Sequence, residues 1–200
     1  MLFAYFTGMI DQARLLSVNL ATEGKLRFQG REVRSGIFKA PAAGRVRLSR
    51  LGLEGDFQAD PRYHGGPAKA VYVYPSEHYP HFCDVLGRQD LSPGFFGENF
   101  TTEGLLEQDV NIGDVFQVGT AAVQITTPRS PCFKLGAKVG SQRFIKTFLE
   151  SRRLGFYLAV LEEGEVGAGD VIRRIAADSA GLSVAAKIEQ RYFARANPST

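Results

Sequence analysis

Residues 127–135 read TPRSPCFKL, and they follow the run AAVQIT at 121–126. The apolar, β-branched run predicts a strand. The two prolines fix φ and lack a backbone donor, so they predict a stiff loop just beyond that strand. Cys132 lies in this loop between Arg129 and Lys134. Nearby positive charge favours the thiolate, which attacks electrophiles and binds metals. A buried structural cysteine in a proline-rich turn is the alternative.

Short apolar runs separated by glycine-containing turns occupy most of the remaining chain. They predict strands at 13–20, 45–51, 71–74, 121–126 and 156–161. One clear helix has an apolar stripe over 144–149, with Ser141 as its expected N-cap. This pattern predicts a mainly β fold, a barrel or sandwich with a few helices.

The C-terminal part of the chain changes character, because 180–188 reads as the start of a serine-capped helix. We therefore divide the chain into a β-barrel domain over 1–176 and a short helical appendage over 177–200.

Composition limits the classes of function. The 200 residues are 44% hydrophobic and 22% charged, as in ordinary globular proteins. The net charge is +3 and the basic residues are scattered, which argues against nucleic-acid binding. Two cysteines, 83 and 132, do not suggest a disulfide scaffold. The first ten residues lack a basic n-region, and no apolar run is long enough to span a bilayer. The cytoplasm is the expected location.

Two further loops carry candidate site residues. In the first, His64 precedes Gly65 and Gly66, which permit close backbone approach to a ligand, and Lys69 follows. In the second, residues 94–100 read GFFGENF and hold a carboxylate and an amide inside an apolar collar. Such a collar is typical of a small-molecule pocket, and also of a tied-down turn. An ordinary turn is the alternative for both loops.

The stretch 78–83 reads HYPHFC and resembles a metal-binding cluster. On a helix, His78 and His81 share a face, but Cys83 lies roughly opposite. A fourth ligand at closed zinc spacing is also missing. We therefore predict no zinc site there.

Four stretches together resemble the MOSC family, named for the C-terminal domain of molybdenum-cofactor sulfurase. The resemblance is to its stand-alone bacterial branch, which includes a protein of N-hydroxylaminopurine resistance, and it covers roughly residues 40–175. The stretches are LGLEGD at 51–56 with QAD at 58–60, HGG at 64–66 with KA at 69–70, FGEN at 96–99, and PRSPC at 128–132 with KL at 134–135.

The resemblance implies a β-barrel that holds a molybdenum cofactor (molybdopterin), with Cys132 as the molybdenum ligand. It implies reduction of N-hydroxylated small molecules, such as hydroxylaminopurines and amidoximes, to amines or amidines. From their side-chain and backbone chemistry, we expect Arg129, Lys69, Glu98, Asn99, Gly65 and Gly66 to bind that cofactor. His64 or Asp56 would deliver protons beside Cys132, although Asp56 has a turn-closing role as its alternative.

A flavin or iron–sulfur reductase is the implied electron donor, and a homodimer is compatible with this reading. No nucleic acid or membrane partner is expected. One competing hypothesis is a non-reductive carrier of the cofactor or of sulfur, using a Cys132 persulfide. Another is a barrel that has lost the cofactor. The branch usually continues into a three-helix C-terminal extension, whereas this sequence ends at Thr200 after about one helix.

Overall fold

The computed structural model describes residues 13–59 and 65–194. The strands, in chain order, are β1 (Ala13–Leu20), β2 (Gly24–Phe28), β3 (Arg31–Ser35), β4 (Ala40–Pro41), β5 (Val46–Ser49), β6 (Gly52–Leu53), β7 (Val71–Pro75), β8 (Phe100–Glu103), β9 (Val115–Val118), β10 (Ala121–Pro128), β11 (Phe156–Glu162), β12 (Gly164–Val166) and β13 (Val171–Ala176). The helices are α1 (Tyr79–Leu86), α2 (Phe133–Val139), α3 (Phe144–Glu150) and α4 (Val184–Tyr192), with 3₁₀ turns at Pro67–Lys69 and Ser76–His78.

Seven of these strands form a closed barrel. Their order is β13-β9-β10-β11-β7-β8-β1, and β1 pairs again with β13. Closure leaves no long unpaired edge among these strands. Buried side chains from six of the strands meet inside: Val73, Phe100, Phe116, Val123, Leu158 and Ile172. The predicted mainly β fold with a barrel and a few helices is confirmed.

The connection between β7 and β8 shapes one end of the barrel. These two strands are parallel, so the chain must cross over between them. The crossover contains the 3₁₀ turn Ser76–His78, helix α1 and the loop that ends at Asn99. The backbone N–H of Asn99 donates to the carbonyl of Tyr72 at 2.8 Å, which fixes the loop against β7.

Aromatic rings join this crossover to α3. Phe82 of α1 lies 5.1 Å from Phe148 of α3 and the same distance from Phe96 of the loop, measured between ring centroids. The apolar stripe of α3 packs on the core as predicted. The predicted N-cap is wrong, because α3 begins at Phe144 and no side chain caps it. Ser141 instead accepts the Phe144 N–H through its backbone carbonyl, at 3.1 Å.

The strand before the cysteine loop is longer than predicted. β10 continues to Pro128, which pairs with Phe156 of β11. Because proline lacks a backbone N–H, a proline at the end of a strand removes only one hydrogen-bond donor from the sheet. The next N–H, that of Arg129, donates to the carbonyl of Gly155 at 3.1 Å. The stiff loop therefore begins at Arg129, two residues later than expected.

Helix α4 lies against the barrel. The Ser183 hydroxyl accepts the Ala186 N–H at 3.1 Å, which confirms a serine cap. Val184 and Ile188 are fully buried. The hydroxyl of Tyr192, at the end of α4, hydrogen-bonds with Ser130 in the cysteine loop. The division of the chain at residue 176 stays a prediction. Within 13–59 and 65–194, no helix has the length and apolar character needed to cross a membrane.

Candidate functional site

Two adjoining cavities open at the barrel end that carries the cysteine loop. The inner chamber has a volume of about 90 Å³ and the outer cleft about 830 Å³. Small-molecule sites occupy roughly 300–1,000 Å³, a range that includes the outer cleft. The two cavities share the lining residues Ala59, Lys69, Cys132, Lys134 and Tyr157.

Cys132 lies at the boundary between the chamber and the cleft. Its backbone is extended, with φ −129° and ψ 170°, and it occupies the N-cap position of α2. Its carbonyl accepts the Leu135 N–H at 3.0 Å, which starts the helix. The side chain is half-buried, and Cys132 forms no disulfide with Cys83. The thiol therefore borders both cavities.

Arg129 lies in the wall of the inner chamber and is 5% exposed. Its guanidinium carbon is 4.9 Å from the ring centroid of Tyr72 and 5.3 Å from that of Phe148. Burial opposes its charge, but nearby Tyr72, Tyr157 and Cys132 outweigh that effect, so the Arg129 pKa lies above its ordinary value. Its Nη1 has no hydrogen-bond partner among the described residues. A buried, charged donor without a partner indicates an acceptor from a ligand.

Asp56 also lines the chamber, but its oxygens are already engaged. Lys39 Nζ donates to both of them, at 2.5 and 2.7 Å. Asn99 Nδ2 donates to Oδ2 at 2.8 Å, and the Ala21 N–H donates to Oδ1 at 2.8 Å. Burial lowers the Lys39 pKa, and the carboxylate partly offsets this. These contacts favour a positioning role for Asp56 over direct proton delivery.

Glu98 lies behind the chamber wall and lines neither cavity. It is completely buried and accepts the N–H groups of Gly94 at 2.7 Å and Phe96 at 3.0 Å. The hydroxyls of Thr101, at 3.0 Å, and Tyr79 also donate to it. Burial raises the Glu98 pKa despite these four donors. Glu98 therefore holds the loop 94–99 in shape.

Asn99, its neighbour, does line the chamber. Its Oδ1 accepts the Tyr72 N–H at 3.2 Å, and its Nδ2 donates to the Asn19 carbonyl at 3.3 Å as well as to Asp56. The amide thus connects three segments that surround the chamber. Of the predicted pair, only Asn99 reaches the cavity.

The His64 loop is described only in part, and His64 lies outside the described residues. Gly66 has φ 80° and ψ 172°, a conformation that favours glycine, and its carbonyl accepts the Lys69 N–H at 2.9 Å. Gly65 and Gly66 line neither cavity, whereas Lys69 lines both. Lys69 Nζ lies 5.9 Å from the ring centroid of Tyr157. The glycines therefore shape the turn that presents Lys69.

The chamber residues that were missed from the sequence include Tyr72, Tyr157 and Lys39. Tyr72 and Tyr157 are paired across β7 and β11, with ring centroids 5.4 Å apart, and both line the chamber. Buried tyrosines within otherwise apolar strands were a usable signal, because such hydroxyls need a partner. Lys39 carried no such signal, because nothing in its local sequence indicates that Asp56 lies beside it.

The zinc-like stretch 78–83 has a different role in the structure. His78 is buried, and its Nε2 lies 2.7 Å from Glu107 Oε2. Glu107 Oε1 accepts the Gly155 N–H at 2.8 Å. Within the described ranges, no group of three or more His, Cys, Asp or Glu side chains is placed to hold a metal ion. His78 thus links α1 to the loop before β11.

Comparisons with known proteins give consistent results. A family model described as MOSC domain matches residues 60–173. The Bacillus subtilis (strain 168) protein YflK, described as uncharacterized, is 45% identical over 174 residues, which are 87% of this chain and 78% of YflK. A Gibberella moniliformis (strain M3125 / FGSC 7600) protein named Reductase is 34% identical over 146 residues, which are 72% of this chain and 26% of that protein.

A solved structure extends the likeness to the fold. The crystal structure of YiiM from Geobacillus stearothermophilus superposes with a TM-score of 0.77 at 33% identity. The match covers 92% of this chain and 86% of that one. The matched family region includes the cysteine loop, Lys69 and Asn99, and thus much of the chamber wall. The chain belongs to the MOSC domain family, and its relatives include stand-alone bacterial members.

Proposed function

We propose that this chain binds a molybdenum cofactor through Cys132 and reduces N-hydroxylated substrates, such as hydroxylaminopurines and amidoximes, to amines or amidines. One observation carries the proposal. Arg129 is buried and charged with an unpartnered Nη1, and it lines the same chamber as the half-buried Cys132. An unsatisfied buried donor costs about 1–3 kcal/mol, and an anionic ligand would remove that cost. The fungal relative is named a reductase, which supports a reductive function.

The residues present fit such a cofactor. A thiolate is a soft ligand suited to a transition metal, and Cys132 is accessible from both cavities. The guanidinium of Arg129 matches a phosphate through paired N–H donors, and Lys69 adds a second positive charge. Tyr72 and Tyr157 provide aromatic surface for a pterin ring. When bound, the cofactor supplies the two-electron redox chemistry that side chains lack.

The reaction also consumes protons. Cleavage of R–NH–OH to R–NH₂ and water takes up two electrons and two protons and breaks the N–O bond. Within the Lys39–Asp56 pair, the ammonium is the group with a proton to give, and the carboxylate holds it in the chamber. Burial lowers the Lys39 pKa, which makes that proton easier to transfer. We therefore assign the donor role to Lys39 and the positioning role to Asp56, and His64 stays a further candidate.

The decisive experiment compares Cys132→Ser with Cys83→Ser in protein from a host that makes the cofactor. Serine keeps the size of the side chain but is a harder donor and is far harder to deprotonate than a thiol. We expect Cys132→Ser to fold and retain pterin, while its turnover of a hydroxylaminopurine per bound molybdenum falls to background. Cys83 lies on α1 and lines neither cavity, so Cys83→Ser should retain both metal and turnover. The readout is reduced-dye oxidation per molybdenum.

The variant Arg129→Ala tests the anchoring of the cofactor separately from the ligation of molybdenum by Cys132. We expect lower molybdenum occupancy, with activity falling in proportion to the metal that remains. Wild-type turnover per molybdenum in Cys132→Ser would reject Cys132 as the ligand. Sulfane sulfur on Cys132 in protein that never acquires molybdenum would instead favour the sulfur-carrier alternative.

A further inference from the structure

The outer cleft has a strongly cationic lining. Its lining side chains include four cations and one described acid, namely Arg34, Lys69, Lys134, Arg191 and Glu32. Glu32 is paired with Lys25 at 3.1 Å, and Lys25 lies outside the cleft. Glu32 is therefore already balanced and does not neutralise Lys134 or Arg191.

Two of these cations have no acidic partner within the described part of the chain. Arg34 is paired with Glu23. Lys134 and Arg191, in contrast, form no ion pair with any carboxylate in 13–59 or 65–194. They come from different elements, since Lys134 is in the first turn of α2 and Arg191 is in the last turn of α4. Cations that converge on one cleft without carboxylates attract an anion.

Of this pair, Arg191 lines only the outer cleft, whereas Lys134 lines both cavities. Arg129 lines the inner chamber but not the outer cleft, whereas Arg191 lines the outer cleft but not the chamber. Arg129 and Arg191 therefore provide separate positions for two anions, and Lys134 lies at the boundary between the cavities. Phe133 also lines the outer cleft, and its ring is 4.4 Å from that of Phe28. Aromatic surface beside cations suits a planar base that carries a phosphate.

We infer that the outer cleft is a subsite for a phosphate monoester, and that the substrate is an N-hydroxylated purine 5′-nucleotide rather than the free base. This inference rests on the proposed function, and it names the substrate class for the same site. The base would face Cys132, and the phosphate would lie between Lys134 and Arg191. Phosphate binding by these residues could also come from the cofactor, so the test separates the two sources.

The first arm measures binding without catalysis. Adenosine 5′-monophosphate and adenosine are titrated into the full-length protein by calorimetry, with its molybdenum content recorded. We expect the monophosphate to bind at least about tenfold more tightly, which is what a single charge-assisted hydrogen bond supplies. The advantage should shrink as salt rises, because the contact is electrostatic. Equal affinities for the two compounds would overturn the inference.

The variants are Lys134→Gln, Arg191→Gln and the double substitution. Lys187→Gln is the matched control, because Lys187 is on the same helix as Arg191 and lines neither cavity. The double variant should lose the preference for the monophosphate, and the control should keep it. A double variant that keeps the full preference would overturn the assignment of these two cations.

The second arm measures turnover of 6-hydroxylaminopurine and of its ribonucleoside 5′-monophosphate. Arg191→Gln should raise KM for the monophosphate about tenfold, the loss of one such contact, and leave KM for the free base and the molybdenum and pterin contents unchanged. A loss of pterin and molybdenum in this variant would show that the cleft holds the cofactor's phosphate, which overturns the inference. No reduction of either compound, with the preference for the monophosphate intact, would reject the reductase proposal while supporting the subsite.

Discussion

Glu98 is a fully buried carboxylate whose burial raises its pKa above the ordinary value of 4.5. The folded state therefore holds the proton more tightly than the unfolded state does. This contribution to stability is complete below the ordinary pKa and is lost as pH rises through the folded pKa, with a limiting slope of about 1.4 kcal/mol per pH unit. Glutamine stays neutral, so Glu98→Gln should remove this part of the pH dependence.

Urea unfolding at pH 4, 5, 6 and 7 checks this expectation. The free energy of unfolding of the wild type should fall relative to that of Glu98→Gln as pH rises. Glu103→Gln is the control, because Glu103 is exposed on β8. Parallel pH profiles for the wild type and Glu98→Gln would contradict the pKa direction.

Individual site residues were predictable to different degrees. Cys132 and Arg129 could be found because cations flank a cysteine within a few positions of sequence. The position of Glu98 could not be predicted, because a carboxylate on a loop can either face a ligand or accept hydrogen bonds from its own backbone. Its four donors include the Tyr79 hydroxyl from α1, and a partner so distant in sequence leaves no local trace.

Helix α4 and the cysteine loop are coupled by the hydrogen bond between Tyr192 and Ser130. Tyr192→Phe keeps the ring and removes the hydroxyl, so the free energy of unfolding should fall by about 0.5–1.5 kcal/mol. Ser130→Ala should cost a similar amount. Because the two hydroxyls share one hydrogen bond, the double variant should lose clearly less free energy of unfolding than the sum of the two single losses. Additive losses in chemical denaturation would rule out this contact.

Elements with strong periodicity were predicted well. β1 has the bounds predicted from its sequence, and α4 has its serine cap. The hairpin of β2 and β3 was missed, because its strands are mostly exposed and lack the apolar alternation of a buried strand. That omission matters for the site, since Arg34 of β3 lines the outer cleft. The pairing of β2 with β3 orders this part of the chain, and the amino-acid composition of the two strands does not reveal that pairing.

The whole barrel depends on the pairing of its first and last strands. Ile172 of β13 is buried and pairs with Ala13 of β1. Ile172→Ala should lower the free energy of unfolding by about 2–5 kcal/mol. Ile175 lies on the same strand but is 55% exposed, so Ile175→Ala should change the free energy of unfolding by less than about 0.5 kcal/mol. Thermal and urea unfolding of both variants checks the contrast, and equal losses would contradict the placement of β13.

A barrel or a sandwich could be expected from the number and spacing of strands, but the strand topology could not. The parallel pairing of β7 with β8 requires a crossover, and the intervening sequence contains a helix that also suits other folds. The resemblance to the MOSC family favoured a barrel over a sandwich, but it did not predict the strand order. Strand order is decided by contacts between residues far apart in sequence, and these leave no periodic pattern.

The seam between β1 and β13 has a consequence for biosynthesis. Residue 13 leaves the ribosome long before residue 172, its pairing partner in the closed barrel. Until β13 has been made, one edge of β1 stays without its final partner, and so does one edge of β9. Unpaired edges promote association between chains, and pairing between distant strands forms slowly. The same closure that protects the finished protein therefore leaves the growing chain with two open strand edges until β13 has been made.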